Sequence, residues 1–214
     1  MYEIAIGLVA SRGYEGTTLR DIAREAGVSP TLLYRYFPSK RAVVLELHDD
    51  LSLLYAEHAT AMPEGTWGAR FLFALRSSLA VLTTHRPALL ALGGVLVGGG
   101  TEGLFAAGTA FSRARVQGVF EDAVRGAADV PAAHTAAALG RLLYIAHLAV
   151  VLFWLLDKSA GQRATSRLLD ALQAGLPWAA LVVASGAADD AIRIADAMCA
   201  EALLAEDAPQ ARRA

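Results

Sequence analysis

Three features of the sequence predict an all-helical fold. Apolar residues recur at helical spacing, as at Leu19, Ile22, Ala23 and Ala26, which follow the i, i+3, i+4, i+7 pattern of one helix face. Long Ala- and Leu-rich segments are punctuated by Pro87, Gly98–Gly100, Pro131, Gly161 and Gly186. Strand-like runs are scarce, only "VLV" at 95–97 and "ALVVASG" at 180–186 standing out. The 214 residues are 55% hydrophobic and 19% charged, ample material for a core and unlike a disordered chain.

The elements can be justified in order. Thr18 stands before the first periodic face and Asp21 three residues after it, a capping box with Asp in place of Glu. Gly27 supplies the left-handed residue that ends this short helix. Ser29 can cap the next helix and Pro30 suits its first position. That helix runs to about Phe37, where Pro38 closes it. Another begins near Ser39 and places Val44, Leu47, Leu51, Leu54 and His58 on one seam. After a break at "MPEGTWG" (62–68), helices are expected at about 67–85, 88–97, 103–126, 132–158, 162–184 and 187–205. Pro177 is expected to kink or split the segment at 162–184. A polar tail closes the chain.

Bulk properties exclude several classes. The net charge of −2 argues against a protein that coats nucleic acid non-specifically, although residues 1–45 carry six basic against four acidic residues. Cys199 is the only cysteine, so neither a disulfide framework nor a CxxC metal site is expected, and a reducing cytoplasm fits. The N-terminus lacks the basic region of a signal peptide. The apolar run from Leu142 to Leu156 is broken by His147 and falls short of a membrane span. No cofactor, metal site or catalytic constellation is expected.

Two short helices joined through a glycine turn, the second exposed and polar, form a helix-turn-helix. Ala23 must be small where the helices cross, and Val28 and Leu33 fill the wedge. Leu33, Tyr36 and Phe37 are expected to point inward. Ser29, Pro30, Thr31, Leu32, Tyr34 and Arg35 then project outward, the positions that meet base edges in this docking mode. A structural hairpin inside an enzyme is the alternative for the same residues.

The segment "TTLRDIAREAGVSPTLLYRYFPSKRAVV" resembles the DNA-binding segment of the tetracycline-repressor (TetR) family of bacterial transcriptional regulators. The likeness covers residues 2 to about 50. It implies a three-helix DNA-binding head (1–48) on a roughly six-helix ligand-binding and dimerisation body (49–206), with a tail at 207–214. By the same resemblance Tyr34 and Lys40 contact phosphates, and Arg20 lies near the backbone or a base edge beside the capping Thr18. Pro30, Thr31, Leu32 and Arg35 face bases, Tyr36 is partly packed and partly at phosphates, and Arg35 is the candidate for guanine readout. Family members usually carry further basic residues before the first helix; here the helix begins almost at Met1. The implied partners are a pseudo-palindromic double-stranded operator, a second copy of the chain and a small hydrophobic or aromatic effector.

Other features compete with that reading. Gly98, Gly100 and Gly103 fit G-x-G-x-x-G after "VLV", the outline of a nucleotide-binding turn in an enzyme. His147 is either a core histidine or the polar handle of an apolar cavity walled by Phe105, Phe111, Tyr144 and Trp154. An all-helical interaction protein without a ligand is a third possibility. For the dimer seam, Leu168, Leu169, Leu172, Leu176, Ile192, Ala195, Met198 and Ala202 supply apolar faces on the last two helices.

Overall fold

The computed structural model describes residues 1–98 and 103–204, and every regular element among them is a helix. In order these are α1 (Tyr2–Arg12), α2 (Leu19–Glu25), α3 (Pro30–Tyr36), α4 (Lys40–Ala59), α5 (Trp67–Thr83) and α6 (Arg86–Ala91). There follow α7 (Gly93–Val97), α8 (Ala110–Arg125), α9 (Ala133–Leu156), α10 (Arg163–Ala184) and α11 (Asp189–Leu204). "VLV" lies inside α7, and "ALVVASG" is helical through Ala184. The strands that a nucleotide-binding turn needs are therefore absent from the described residues; Gly100 lies outside them, as do the tail residues 207–214.

The residues fall into two compact units. One comprises 1–61, 76–116 and 151–158; the other comprises 62–75, 117–150 and 159–214. In the first, α1 packs on α2, α4 and α6, and α2 packs on α3. Its core includes Ile6, Val9, Ile22, Leu33, Val44 and Leu47, all buried. In the second, Phe120 lies 5.9 Å from Phe71 and 4.8 Å from the His147 ring, measured between ring centres.

Three expectations about elements are corrected and one is narrowed. The segment expected as one helix at 88–97 is two, α6 ending and α7 beginning at Leu92, with Gly93 and Gly94 as weak helix formers at the join. The helix expected from 103 starts at Ala110. Thr109 Oγ1 donates to the Gly103 carbonyl at 2.8 Å and Arg113 reaches the Leu104 carbonyl at 3.1 Å, holding the preceding residues in a turn. Of the kink or split expected at Pro177, the split does not occur: α10 runs on as a helix from Arg163 to Ala184. On α4 the seam continues through Tyr55 and Ala59, while Leu54 and His58 are exposed. A 3.5-residue repeat drifts around a straight helix of 3.6 residues per turn, so the buried stripe moves on by one position.

α9 is a continuous 24-residue helix of mean hydropathy 2.0, and 160–184 has mean hydropathy 1.2; both are long and apolar enough to cross a membrane by length and composition. The span expected from the sequence is shorter because it begins only at Leu142 and counts His147 as an interruption, whereas the helix runs on through both. In α9 much of that apolar surface is core, including Leu139, Leu143, Tyr144 and Trp154.

Candidate nucleic-acid interface

The geometry between Thr18 and Ser39 is set by local hydrogen bonds. Asp21 N–H donates to Thr18 Oγ1 at 3.1 Å, and Thr18 N–H donates to the Asp21 carboxylate at 3.2 Å, which completes the capping box. The Thr18 hydroxyl bond, with Arg24 beside it, holds the Asp21 carboxyl below the usual carboxylate range. At the other end, Gly27 sits at φ 64°, which only glycine adopts freely. Val28 N–H reaches the Ala23 carbonyl at 3.0 Å and Gly27 N–H reaches the Arg24 carbonyl at 3.2 Å. These two bonds are the Schellman pair. Ser29 Oγ then accepts from Leu32 N–H at 3.1 Å, and Pro30 occupies the first turn of α3. Ser39 caps α4 in the same way through Ala42 N–H. Every junction in the motif is closed within a few residues of sequence.

One side chain the sequence reading missed supports this frame. Thr17 is fully buried and donates to the Gly13 carbonyl at 2.8 Å, tying the end of α1 to the start of α2. Its neighbour Thr18 carries the recognisable capping signal; a buried threonine leaves no comparable pattern.

The seven residues of α3 are anchored on one side only. Leu33 is fully buried, and Phe37, just beyond the helix, is half-buried and stacked on Tyr2 of α1 at 6.4 Å between ring centres. With about 100° between successive residues, Thr31, Leu32 and Arg35 form the arc opposite Leu33. Tyr34 and Tyr36 flank that arc on opposite sides, about 200° apart. Pro30, Thr31, Leu32, Tyr34 and Arg35 are all exposed, and so are Thr18, Arg20 and Ser29. The Thr18 and Ser29 hydroxyls are engaged in their caps, whereas no hydrogen bond or ion pair engages Arg35 among the described residues.

One expectation changes here. Tyr36 does not point inward; it is 62% exposed, although its place on the helix is only about 60° from that of Leu33. Lys40 turns back on the link between α1 and α2. Its ammonium donates to the Tyr14 carbonyl at 2.8 Å, sits 4.4 Å from the centre of the Tyr14 ring and lies 3.8 Å from the Glu15 carboxylate.

These residues match known proteins. Residues 2–47 fit the family described as bacterial regulatory proteins, tetR family. The likeness to that family lies in this N-terminal segment. A 45-residue stretch is 42% identical to the uncharacterized HTH-type transcriptional regulator YuxN of Bacillus subtilis (strain 168), covering 21% of this chain and 16% of that relative. This chain also shares its fold with solved structures. One, a tetR-family transcriptional regulator from Streptomyces coelicolor, is 23% identical with a TM-score of 0.56, covering 97% of this chain and 89% of that one. The other, the tetR-family regulator PfmR from Thermus thermophilus, is 18% identical with a TM-score of 0.54, covering 80% and 95%.

The residues expected to line an effector cavity are divided between the two units. Phe105, Phe111 and Trp154 belong to the first and Tyr144 and His147 to the second. Phe111 is 73% exposed, with the Arg115 guanidinium 4.7 Å from its ring centre. Trp154 is buried beneath Arg86, which donates to the Leu155 carbonyl at 2.8 Å and the Asp157 carbonyl at 3.0 Å. Tyr144 and His147 are buried around Phe120, and burial pushes the His147 imidazole down to a pKa of about 3.

Of the residues expected at a dimer seam, Leu168, Leu169, Leu172, Leu176, Ile192 and Ala195 are all half-buried along α10 and α11, and Leu176 packs 3.1 Å from where a Cβ on Gly68 would stand. Met198 is exposed, and so are Trp178 (72%), Leu181, Val182 and Ile194. Ala202 is exposed as well.

Proposed function

We propose that this chain is a cytoplasmic, sequence-specific DNA-binding transcriptional regulator that acts as a homodimer. The observation that carries the reading is the exposed arc of α3, with Arg35 at its centre and a tyrosine hydroxyl on either flank. An arc of this kind fits a major groove: Arg35, Thr31, Leu32 and Pro30 face base edges, and Tyr34 and Tyr36 reach phosphates on the two walls. Arg20 and the backbone at the Thr18 and Ser29 caps lie along the phosphates, and Lys40 braces the link between α1 and α2. In this reading residues 1–48 are the head and residues 49–206 the body.

One head contacts too few base pairs to select a site, so two copies bind a pseudo-palindrome. The exposed apolar residues of α10 and α11 support a two-fold interface there. The outcome we favour is repression relieved by a small hydrophobic or aromatic effector, with Tyr144 and His147 as candidate contacts. An effector that fits one body conformation better than another lowers DNA affinity by that difference, and about 3 kcal/mol corresponds to roughly 150-fold release. The chain acts by binding and not as an enzyme.

Selection of sites from a random duplex library, followed by gel shifts over a salt series, tests the core of this reading. An enriched two-fold site whose affinity falls steeply with salt is expected. Failure to enrich any sequence defeats the reading. A thermal-shift screen with gel shifts on each hit tests the effector; a binder that leaves operator affinity unchanged is not one.

A further inference from the structure

Among residues 1–48 the exposed large hydrophobic side chains are Leu32, Tyr34 and Tyr36, all on the seven residues of α3. The tyrosines have hydroxyls that reward exposure. Leu32 has none, yet it is 40% exposed while its neighbour Leu33 is fully buried. Its direction is fixed, because its own N–H is the donor that closes the Ser29 cap. Leu32 therefore stands on the outward arc beside Arg35, about 60° from it around the helix and about 4.5 Å along the axis.

We infer that Leu32 is a specificity residue that reads the 5-methyl group of a thymine. This rests on the DNA-binding reading above and extends it to the bases. Of the four major-groove edges only thymine offers an apolar group, and an aliphatic side chain recognises it by excluding water from both. A displacement of about 4.5 Å along the helix is close to one base-pair step of about 3.4 Å. Each half-site therefore carries a thymine within one or two base pairs of the guanine that Arg35 contacts. The methyl of 5-methylcytosine occupies the same groove position, so it substitutes for thymine at Leu32, though not at a hydrogen-bonding reader of the thymine carbonyl.

The test uses the full chain and the site that it selects. Each thymine is replaced in turn by deoxyuridine, which lacks only the methyl group, and affinities are measured for wild type, Leu32→Ala and Leu32→Met. Affinity for a non-specific duplex is measured in parallel to show that each variant is folded. For wild type we expect one thymine per half-site to lose about fourfold on methyl removal, the weight of one buried methyl group. Leu32→Ala should be indifferent to the change, Leu32→Met should retain part of it, and 5-methylcytosine at that position should recover part of the loss relative to cytosine. The inference is overturned if every thymine tolerates deoxyuridine, if Leu32→Ala keeps the full wild-type penalty, or if no thymine lies near the guanine that Arg35→Ala identifies. A library from which nothing is enriched defeats the DNA-binding reading itself, which is a different result.

Discussion

α3 and the α10–α11 pair both leave large apolar side chains in solvent, yet they do so in different chemical company. On α3 the exposed residues are two tyrosines and one leucine around an arginine, on a helix of seven residues fixed by caps at its ends. On α10 and α11 they are Trp178, Leu181, Val182, Ile194 and Met198, on helices of 22 and 16 residues. Tyrosine and arginine pair an apolar body with a polar tip, which suits a surface of bases edged by phosphates. Bare aliphatic and indole surface suits another apolar surface, and a large patch of it marks a protein or membrane interaction site. The contrast shows that exposure alone does not identify a partner; the polar atoms around the patch do.

The strongest challenge to this contrast is a double substitution on α10, Trp178→Glu with Leu181→Glu. It should convert the proposed dimer to a monomer by size-exclusion chromatography and lower operator affinity by about two orders of magnitude, as loss of one of two heads does, while the helical circular dichroism signal persists. A variant that stays dimeric would show that the apolar surface serves something else. Next in size is Arg35→Ala, expected to cost about 1–3 kcal/mol of specific binding and to relax selectivity at one base pair per half-site. Equal losses on specific and random duplexes would move Arg35 from a base to a phosphate.

His147 sharpens the comparison from the core of the second unit. Its folded pKa of about 3 is depressed below the ordinary 6.5, so the unfolded chain binds the extra proton first. Stability is thus fully present above about pH 6.5 and declines as pH falls from there toward 3, by about 2 kcal/mol at pH 5. His147→Leu should flatten that slope in chemical denaturation at pH 7 and pH 5. A slope unchanged by the substitution would assign the acid sensitivity elsewhere.

Smaller effects are expected at the edges of α2 and α3. Thr18→Ala removes the cap and should lower stability by about 1 kcal/mol, read as a shift in the denaturation midpoint. Tyr34→Phe removes one hydroxyl and should weaken operator binding by less than about 1 kcal/mol, equally for all sequences and with the salt dependence unchanged, because a neutral hydroxyl displaces no counterion. Full retention of binding by Tyr34→Phe would leave Tyr34 with a packing role only.

The helix-turn-helix was legible because each of its signals acts over a few residues. Thr18 with Asp21, Gly27, and Ser29 with Pro30 are bonded or strained within their own turns, so the residue types announce the geometry. The exposure of Tyr36 and the partners of Lys40 within the chain were not legible, for the opposite reason. Whether a tyrosine on α3 faces in depends on what α1 places against it, and the Lys40 ammonium finds Tyr14, 26 positions earlier in the chain. The segment expected at 88–97 divides at Leu92 beside Gly93 and Gly94, whose weak helix propensity alone does not say whether a helix breaks.

Chain order and residue type were enough to establish an all-helical protein, the caps of α2, α3 and α4, and the likeness of residues 2–47 to the tetR family. Short-range hydrogen bonds and backbone preferences need no knowledge of distant neighbours. Which apolar stripe of α10 turns inward, where Lys40 points and how deeply His147 is sunk had to wait for the folded arrangement. Each depends on residues far apart in sequence, and periodicity cannot tell a stripe that meets its own chain from one that awaits another.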